Sequence, residues 1–251
     1  MAAGQSGKQE VKVGIIIQAR MGSTRLPNKV LMPLGTSNLL QVLVERLKLS
    51  GLPIVLATSD LPENNSLEEA ASQLGISCYR GSEEDVLSRY YEAAKANSLE
   101  VIVRVTGDNP LIDGAWIRSY TDQYVQMASE NLYMSTSIGK TLPIGMSFEI
   151  FHFKMLEAAW SKATDPRERE HVTPFFYTNP ALYDMFPVAY EVDRSMYRLT
   201  VDTAEDLRLI SILIEKYHAD QLSYKDIISI LDEEQSLSKI NTHIPQKKWN
   251  E

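Results

Sequence analysis

The sequence predicts an α/β fold: a mostly parallel sheet with helices packed on both faces. Three observations carry this. A near-continuous apolar run, Val13–Gln18 (VGIIIQ), is rich in β-branched residues, as a strand buried on both faces must be. Short apolar strands then alternate with amphipathic helical stretches along most of the chain. The 251 residues, 44% hydrophobic and 23% charged, suffice for one such domain with a large core.

After the first strand comes a loop over 19–35. Ser37 is placed to cap the next helix, whose Leu39, Leu40, Leu43 and Leu47 form an apolar stripe. Residues 54–57 read as a strand. Ser66 and Glu69 have capping-box spacing, and Gly75 suits the end of that helix. Residues 76–79 read as a strand, Ser82 as the cap of a helix running to about Ala96, 101–105 as a further strand, and Asp113 as the next helix cap. The alternation breaks between about Tyr133 and Tyr190. Strand candidates at 146–153 and 185–190 flank helices there, one starting at the Asp165-Pro166 cap pair. This segment reads as an excursion from the main sheet. Its Phe175-Phe176-Tyr177 cluster needs cover, which points to a contact between two copies of the chain. Residues 197–201 return as a strand, Thr203 and Asp206 cap a long helix to about Tyr217, and a last helix covers 224–232. The division is therefore a loose tail at 1–10, one domain at 11–220 with its excursion at about 133–190, and a C-terminal helix and tail at 221–251.

Composition narrows the function. A net charge of −8 argues against a nucleic-acid or anionic-membrane partner. No apolar run is long enough to span a membrane, and the first ten residues lack the apolar stretch of a signal peptide. The single cysteine, Cys78, allows no intrachain disulfide and reads as an inert core thiol; together these features favour the cytoplasm. Charge is uneven, however. Residues 11–44 contain Lys12, Arg20, Arg25 and Lys29 but no acid, so an anion site is expected there.

Three clusters carry candidate chemistry. The first is the loop Gln18-Ala19-Arg20-Met21-Gly22-Ser23-Thr24-Arg25-Leu26-Pro27-Asn28-Lys29. Open parallel sheets bind ligands at the carboxyl ends of their strands. Gly22 permits close backbone approach, the N–H groups of Ala19, Gly22 and Ser23 can cradle phosphate oxygens, and Arg20, Arg25 and Lys29 supply charge. Neither GxxxxGK[ST] nor GxGxxG occurs. The second cluster is Thr106-Gly107-Asp108-Asn109-Pro110, where Asp108 serves either as a Mg²⁺ carboxylate or as a turn former. In the third, Asp202 ends a strand and is either a metal ligand or a helix cap. Arg80 and Ser82 lie where a helix N-terminus can meet an anion, with a plain N-cap as the other reading of Ser82. Thr58 and Ser59 either read a base or form a loop. Arg169 and His171 share one short helix with Glu170 and cannot all face one way.

The segments IIIQARMGSTRLPNKVL, RGSEEDVLSRYYEAA, VRVTGDNPLID, REREHVTPF and LTVDTAEDL together resemble the cytidylyltransferases that activate sugar acids, the 3-deoxy-manno-octulosonate and acylneuraminate cytidylyltransferases, and most closely their spore-coat polysaccharide relatives. The resemblance runs from about Val11 to Tyr217. It implies a three-layer α/β/α sandwich with a Rossmann-like sheet of the nucleotide-diphospho-sugar transferase type, and a homodimer formed through the excursion. It also implies Mg²⁺-dependent transfer of CMP from CTP to a sugar acid or similar small acceptor, with release of pyrophosphate, in cell-surface polysaccharide synthesis. By the same resemblance, Arg25, Lys29 and Asp108 are catalytic, Asp108 and Asp202 hold the metal, and Glu149, with Arg169 and His171, faces the acceptor. One departure is notable: where relatives show an Asp-Gly and a second Asp, this chain has Pro143-Ile144-Gly145-Met146-Ser147-Phe148-Glu149. Two other readings stand: a glycosyltransferase using a nucleotide sugar, and a non-catalytic binding homologue.

Overall fold

A computed structural model describes residues 11–23 and 25–246. The expected tail at 1–10, Thr24 and the end of the C-terminal tail lie outside the described residues.

Seven strands form one sheet in the order β5-β4-β1-β6-β8-β7-β9. They are β1 (Val13–Gln18), β4 (Ile54–Ser59), β5 (Ser77–Gly81), β6 (Val101–Thr106), β7 (Leu132–Ser135), β8 (Glu149–His152) and β9 (Asp184–Pro187). A two-residue hairpin, β2 (Pro33–Leu34) and β3 (Ser37–Asn38), stands apart. Only β8 runs against the rest, paired antiparallel to both β6 and β7. Ile15, Ile16 and Ile17 are fully buried: Ile15 and Ile17 join the core on one face of the sheet and Ile16 the core on the other. The run is apolar throughout because both faces of β1 are covered.

Helices α1 (Leu39–Lys48), α2 (Asn65–Leu74) and α4 (Gly114–Met127) bury their apolar stripes in the first core, and α3 (Val86–Ala96) and α6 (Phe153–Lys162) in the second. The short helices α5 (Thr136–Gly139), α7 (Pro166–His171) and α8 (Pro174–Tyr177) lie between the later strands. A third core lies under α9 (Ala204–Tyr217), α10 (Tyr224–Glu233) and α11 (Gln235–Ser238), with Tyr197, Leu199 and Val201 packed against it. Asp113, Asp165 and the Thr203/Asp206 box cap their helices as the sequence predicts, and Gly75 ends α2 in the left-handed conformation.

Several local expectations are corrected. Asn38, not Ser37, caps α1, accepting from the Gln41 N–H. Pro62 starts a 3₁₀ turn that runs directly into α2, so Ser66 lies inside the helix and forms no capping box with Glu69. Asp85 caps α3, while the Ser82 hydroxyl only supports the Asp85 N–H. Residues 197–201 are not a strand. Their backbone is divided between two loops, with the Leu199 N–H bonded to Ile144 and the Val201 N–H to Asp108, so no ladder forms. The segment at about 133–190 does not leave the sheet: β7, β8 and β9 complete it. Phe175 and Phe176 are buried, packed against Phe151, Tyr133 and Tyr183, so these two are covered from within, while Tyr177 is half-buried. Cys78 is half-buried, and burial pushes its thiol up to about 11. Among the described residues no helix is long and apolar enough to cross a membrane.

Candidate active site

The carboxyl ends of β1 and β6 meet side by side, Gln18 opposite Thr106. The chain then turns away from both strands, and Gly107 lets the two turns touch. Its N–H bonds the Gln18 carbonyl at 2.8 Å, and a Cβ there would come within 2.8 Å of the Ala19 Cβ. The β1 loop coils back on itself. The Met21 N–H donates to Asn64 Oδ1, and Asn28, in the left-handed conformation, precedes the 3₁₀ turn Lys29–Leu31. That turn directs Lys29 inward to 9% exposure.

A pocket of about 270 Å³ results, lined by Ala19, Arg20, Gly22, Ser23, Arg25, Lys29, Thr106, Asp108 and Asp202 among others. Lys29 Nζ lies 3.0 Å from Asp108 Oδ2 and 2.7 Å from Asp202 Oδ1. Arg25 and Arg198 each approach Asp202 Oδ2 at 2.9 Å. Burial alone would lower the Lys29 ammonium, but Asp108 and Asp202 outweigh it and hold it above its ordinary value. Burial alone would raise the Asp202 carboxyl; Lys29, Arg25 and Arg198 instead hold it below the usual 3.8. Asp202 does not cap α9, a role filled by Thr203.

The donor set fits Mg²⁺. Asp108 and Asp202 converge on the same Lys29 ammonium, and Mg²⁺ usually takes one or two carboxylates and completes its shell with phosphates and water. Among the described residues no three or more His, Cys, Asp or Glu side chains gather as metal ligands, so a closed, all-protein site is not what this edge offers.

Not every expected residue reaches this pocket. Thr58 and Ser59 are fully buried, with Ser59 Oγ bonded to Asn64. Arg80 is tied to the Ser59 and Leu61 carbonyls, Asn65 and Glu68. Ser82 is exposed beside Asp85. Arg169 faces away as well, clamping the Asp85 cap at 2.6 Å and the Trp160 and Ala163 carbonyls. Two helical positions on, about 200° round the axis, His171 points the other way. It lines two cavities, one of about 370 Å³ beside Gln18, Arg20 and Glu83, and one of about 680 Å³ over Glu149. Burial holds the His171 imidazole below its ordinary value.

Glu149 forms the floor of the larger cavity. It is buried and accepts from Arg104, the Tyr133 hydroxyl and, at 2.8 Å, the Thr173 hydroxyl. Arg104 also reaches Gln18 Oε1 at 3.3 Å, joining this floor to the β1 loop. Ile144 and Ser147, half-buried, line neither cavity nor the β1-loop pocket. Arg104, Tyr133, Thr173 and Arg198 were not singled out from the sequence. Charges inside the apolar runs VIVRVT and YRLTV were the available signal for the two arginines; Tyr133 and Thr173 carried none.

A family profile described as Cytidylyltransferase matches residues 14–239. The chain belongs to the cytidylyltransferase family. It is 36% identical to a cytidylyltransferase from Leptospira borgpetersenii, with a TM-score of 0.89 over 94% of this chain and 100% of that structure. It is 37% identical to the spore coat polysaccharide biosynthesis protein SpsF of Bacillus subtilis, over 86% of this chain and 92% of that protein. A CMP:2-keto-3-deoxy-manno-octonic acid synthetase complexed with CTP shares the fold, with a TM-score of 0.61 at 17% identity over 82% of this chain and 99% of that one. This cytidylyltransferase is therefore a nucleotidyltransferase on the expected α/β sheet.

Proposed function

We propose that this cytidylyltransferase transfers CMP from CTP to a hydroxyl of a sugar acid or related small acceptor, in the synthesis of a cell-surface polysaccharide. The observation that carries the reading is the convergence of Lys29, Arg25, Asp108 and Asp202 in one pocket at the β1 and β6 ends. The ammonium and guanidinium groups match the triphosphate charge, and the backbone of the β1 loop lies against the same space. Asp108 and Asp202 would hold Mg²⁺, which offsets charge on the transferring phosphoryl group and on leaving pyrophosphate. Lys29 and Arg25 exchange their carboxylate partners for phosphate oxygens as the nucleotide enters. The acceptor hydroxyl, releasing its proton, attacks the α-phosphorus, and the α–β bridging P–O bond breaks with its electron pair leaving on pyrophosphate.

The acceptor occupies the cavity over Glu149. Glu149 and Arg104 neutralise one another at its floor, while His171, Lys140 and Ser137 line its sides. Arg80, Ser82, Thr58 and Ser59 stand behind the nucleotide as supports of the β4 and β5 ends, and Arg169 supports α3. A homodimer enters the reading through the family resemblance alone; light scattering at micromolar concentration tests it.

Pyrophosphate release from CTP and Mg²⁺, measured across a panel of sugar acids, tests the function. Acceptor-dependent release supports it. Release of a nucleoside diphosphate from a nucleotide sugar, with none of pyrophosphate from CTP, would sink it.

A further inference from the structure

Arg198 lies four residues before Asp202 in a stretch whose neighbours, Tyr197, Leu199 and Val201, are all apolar core. Its side chain is only 2% exposed. Its guanidinium makes a two-pronged bond to Asp206, Nε to Oδ1 at 2.9 Å and Nη2 to Oδ2 at 3.1 Å. The same Nη2 donates to Asp202 Oδ2 at 2.9 Å, and Nη1 to Gln246 Oε1 at 2.5 Å. Asp206 is itself held from several sides: fully buried, it accepts from the Asp202 and Thr203 N–H groups. Asn241, also fully buried, donates to both Asp206 Oδ1 and the Arg198 carbonyl.

We propose that Arg198 is a positioning residue for the transfer reaction, fixing the rotation of the Asp202 carboxylate. The proposal rests on the nucleotidyl-transfer reading above. A carboxylate's terminal torsion is soft and nearly two-fold, so an aspartate in a loop such as Asp202 is not aimed by its backbone alone. Here the two oxygens are made unequal. Oδ2 is occupied by Arg198 from the protein interior and by Arg25 from the loop; Oδ1 is left facing Lys29 and, beyond it, Asp108. A planar fork held on Asp206 can impose this angle, whereas a point charge cannot. Partners behind a metal-binding carboxylate set its orientation, and their loss typically costs about 10- to 100-fold in metal affinity or activity. The C-terminal segment is part of the device, because Asn241 and Gln246 close the remaining sides of Arg198.

The test compares the wild-type chain with Arg198→Lys, which keeps the charge and loses the fork. A second variant, Arg198→Gln with Asp206→Asn, leaves no buried unpaired charge if the lysine variant fails to fold. Melting temperature establishes folding, and calorimetry without metal measures CTP binding. Electron paramagnetic resonance measures Mn²⁺ binding in the presence of CTP, and pyrophosphate release separates kcat from KM. The expected result in the folded variant is metal-free CTP affinity within about 3-fold of wild type, with Mn²⁺ affinity and kcat each lower by about 10-fold or more. Unchanged Mn²⁺ affinity and kcat overturn the positioning role. So does a loss of CTP affinity as large as the loss of Mn²⁺ affinity, because that is general loosening of the pocket. Absence of CTP-dependent Mn²⁺ binding in the wild-type chain overturns the transfer reading itself, and the positioning role with it.

Discussion

Around Asp108 and Asp202, three cations lie within 3.0 Å of a carboxylate, and two of them sit on the β1 loop, with the Arg25 side chain 35% exposed. Around Glu149 the charges are equally well paired, but with Arg104 on the neighbouring strand, and both side chains are nearly covered. In the proposed reaction the first arrangement exchanges partners: phosphate oxygens replace the carboxylates on Lys29 and Arg25, while the metal would take up Asp108 and Asp202. The second is closed on itself: among the described residues Arg104 and Glu149 are each other's only ion-pair partners within 4.0 Å, and both are nearly covered. Exchangeable pairing suits the chemistry proposed for the β1 loop. Locked pairing suits a cavity floor that holds a shape.

The largest expected effect is on the locked side. Glu149→Ala leaves the Arg104 guanidinium buried and unpaired, which costs about 3–5 kcal/mol of stability, read as a shift in the urea midpoint. A cost below about 1 kcal/mol would mean that the floor is not locked. On the exchangeable side the order reverses. Asp108→Asn and Asp202→Asn are expected to fold but to lose turnover on the order of 10²-fold or more; near-normal pyrophosphate release in either removes that residue from the metal role. Arg25→Ala and Lys29→Met come next. Each removes a charge-assisted bond to the triphosphate worth about 1.5–3 kcal/mol, so calorimetry should show CTP binding weakened by about 10-fold or more. Unchanged affinity in both variants dissolves the distinction between the two regions.

The smallest effect sharpens the comparison through pH. The Asp202 carboxyl is depressed in the folded chain despite burial, which acts to raise it, because Lys29, Arg25 and Arg198 surround it. Its contribution to stability is therefore present above the unfolded value near 3.8 and is lost as pH falls through the lower, folded value. The stability of the wild-type chain relative to Asp202→Asn should be constant from pH 7 to 5 and fall below pH 3.8. A gap that stays constant through that range would mean that the pairing is not felt in solution.

Much of this was legible in the chain. The VGIIIQ run, the cap at Asp113, the Thr203/Asp206 box and the cation-rich loop depend on residues a few positions apart, and local chemistry decides them. The later strands were less legible. A four-residue strand such as Leu132–Ser135 has no period long enough to read. Residues 197–201 look like a strand because they are apolar, yet they lie between a core and two loops.

By itself the sequence determined the alternating α/β architecture, the cation-rich character of the β1 loop and the carboxylates at Asp108 and Asp202. Only the tertiary structure decided that Asp108 and Asp202, 79 and 173 positions from Lys29, share its ammonium. It also decided that Arg169 turns to α3 while His171 lines the cavities, that Phe175 and Phe176 are covered from within, and that Arg198 stands behind Asp202. The physical reason is distance along the chain. Hydrophobic period and capping act over a few residues, whereas a charge finds its partner only when strand order and helix rotation have set both ends in place.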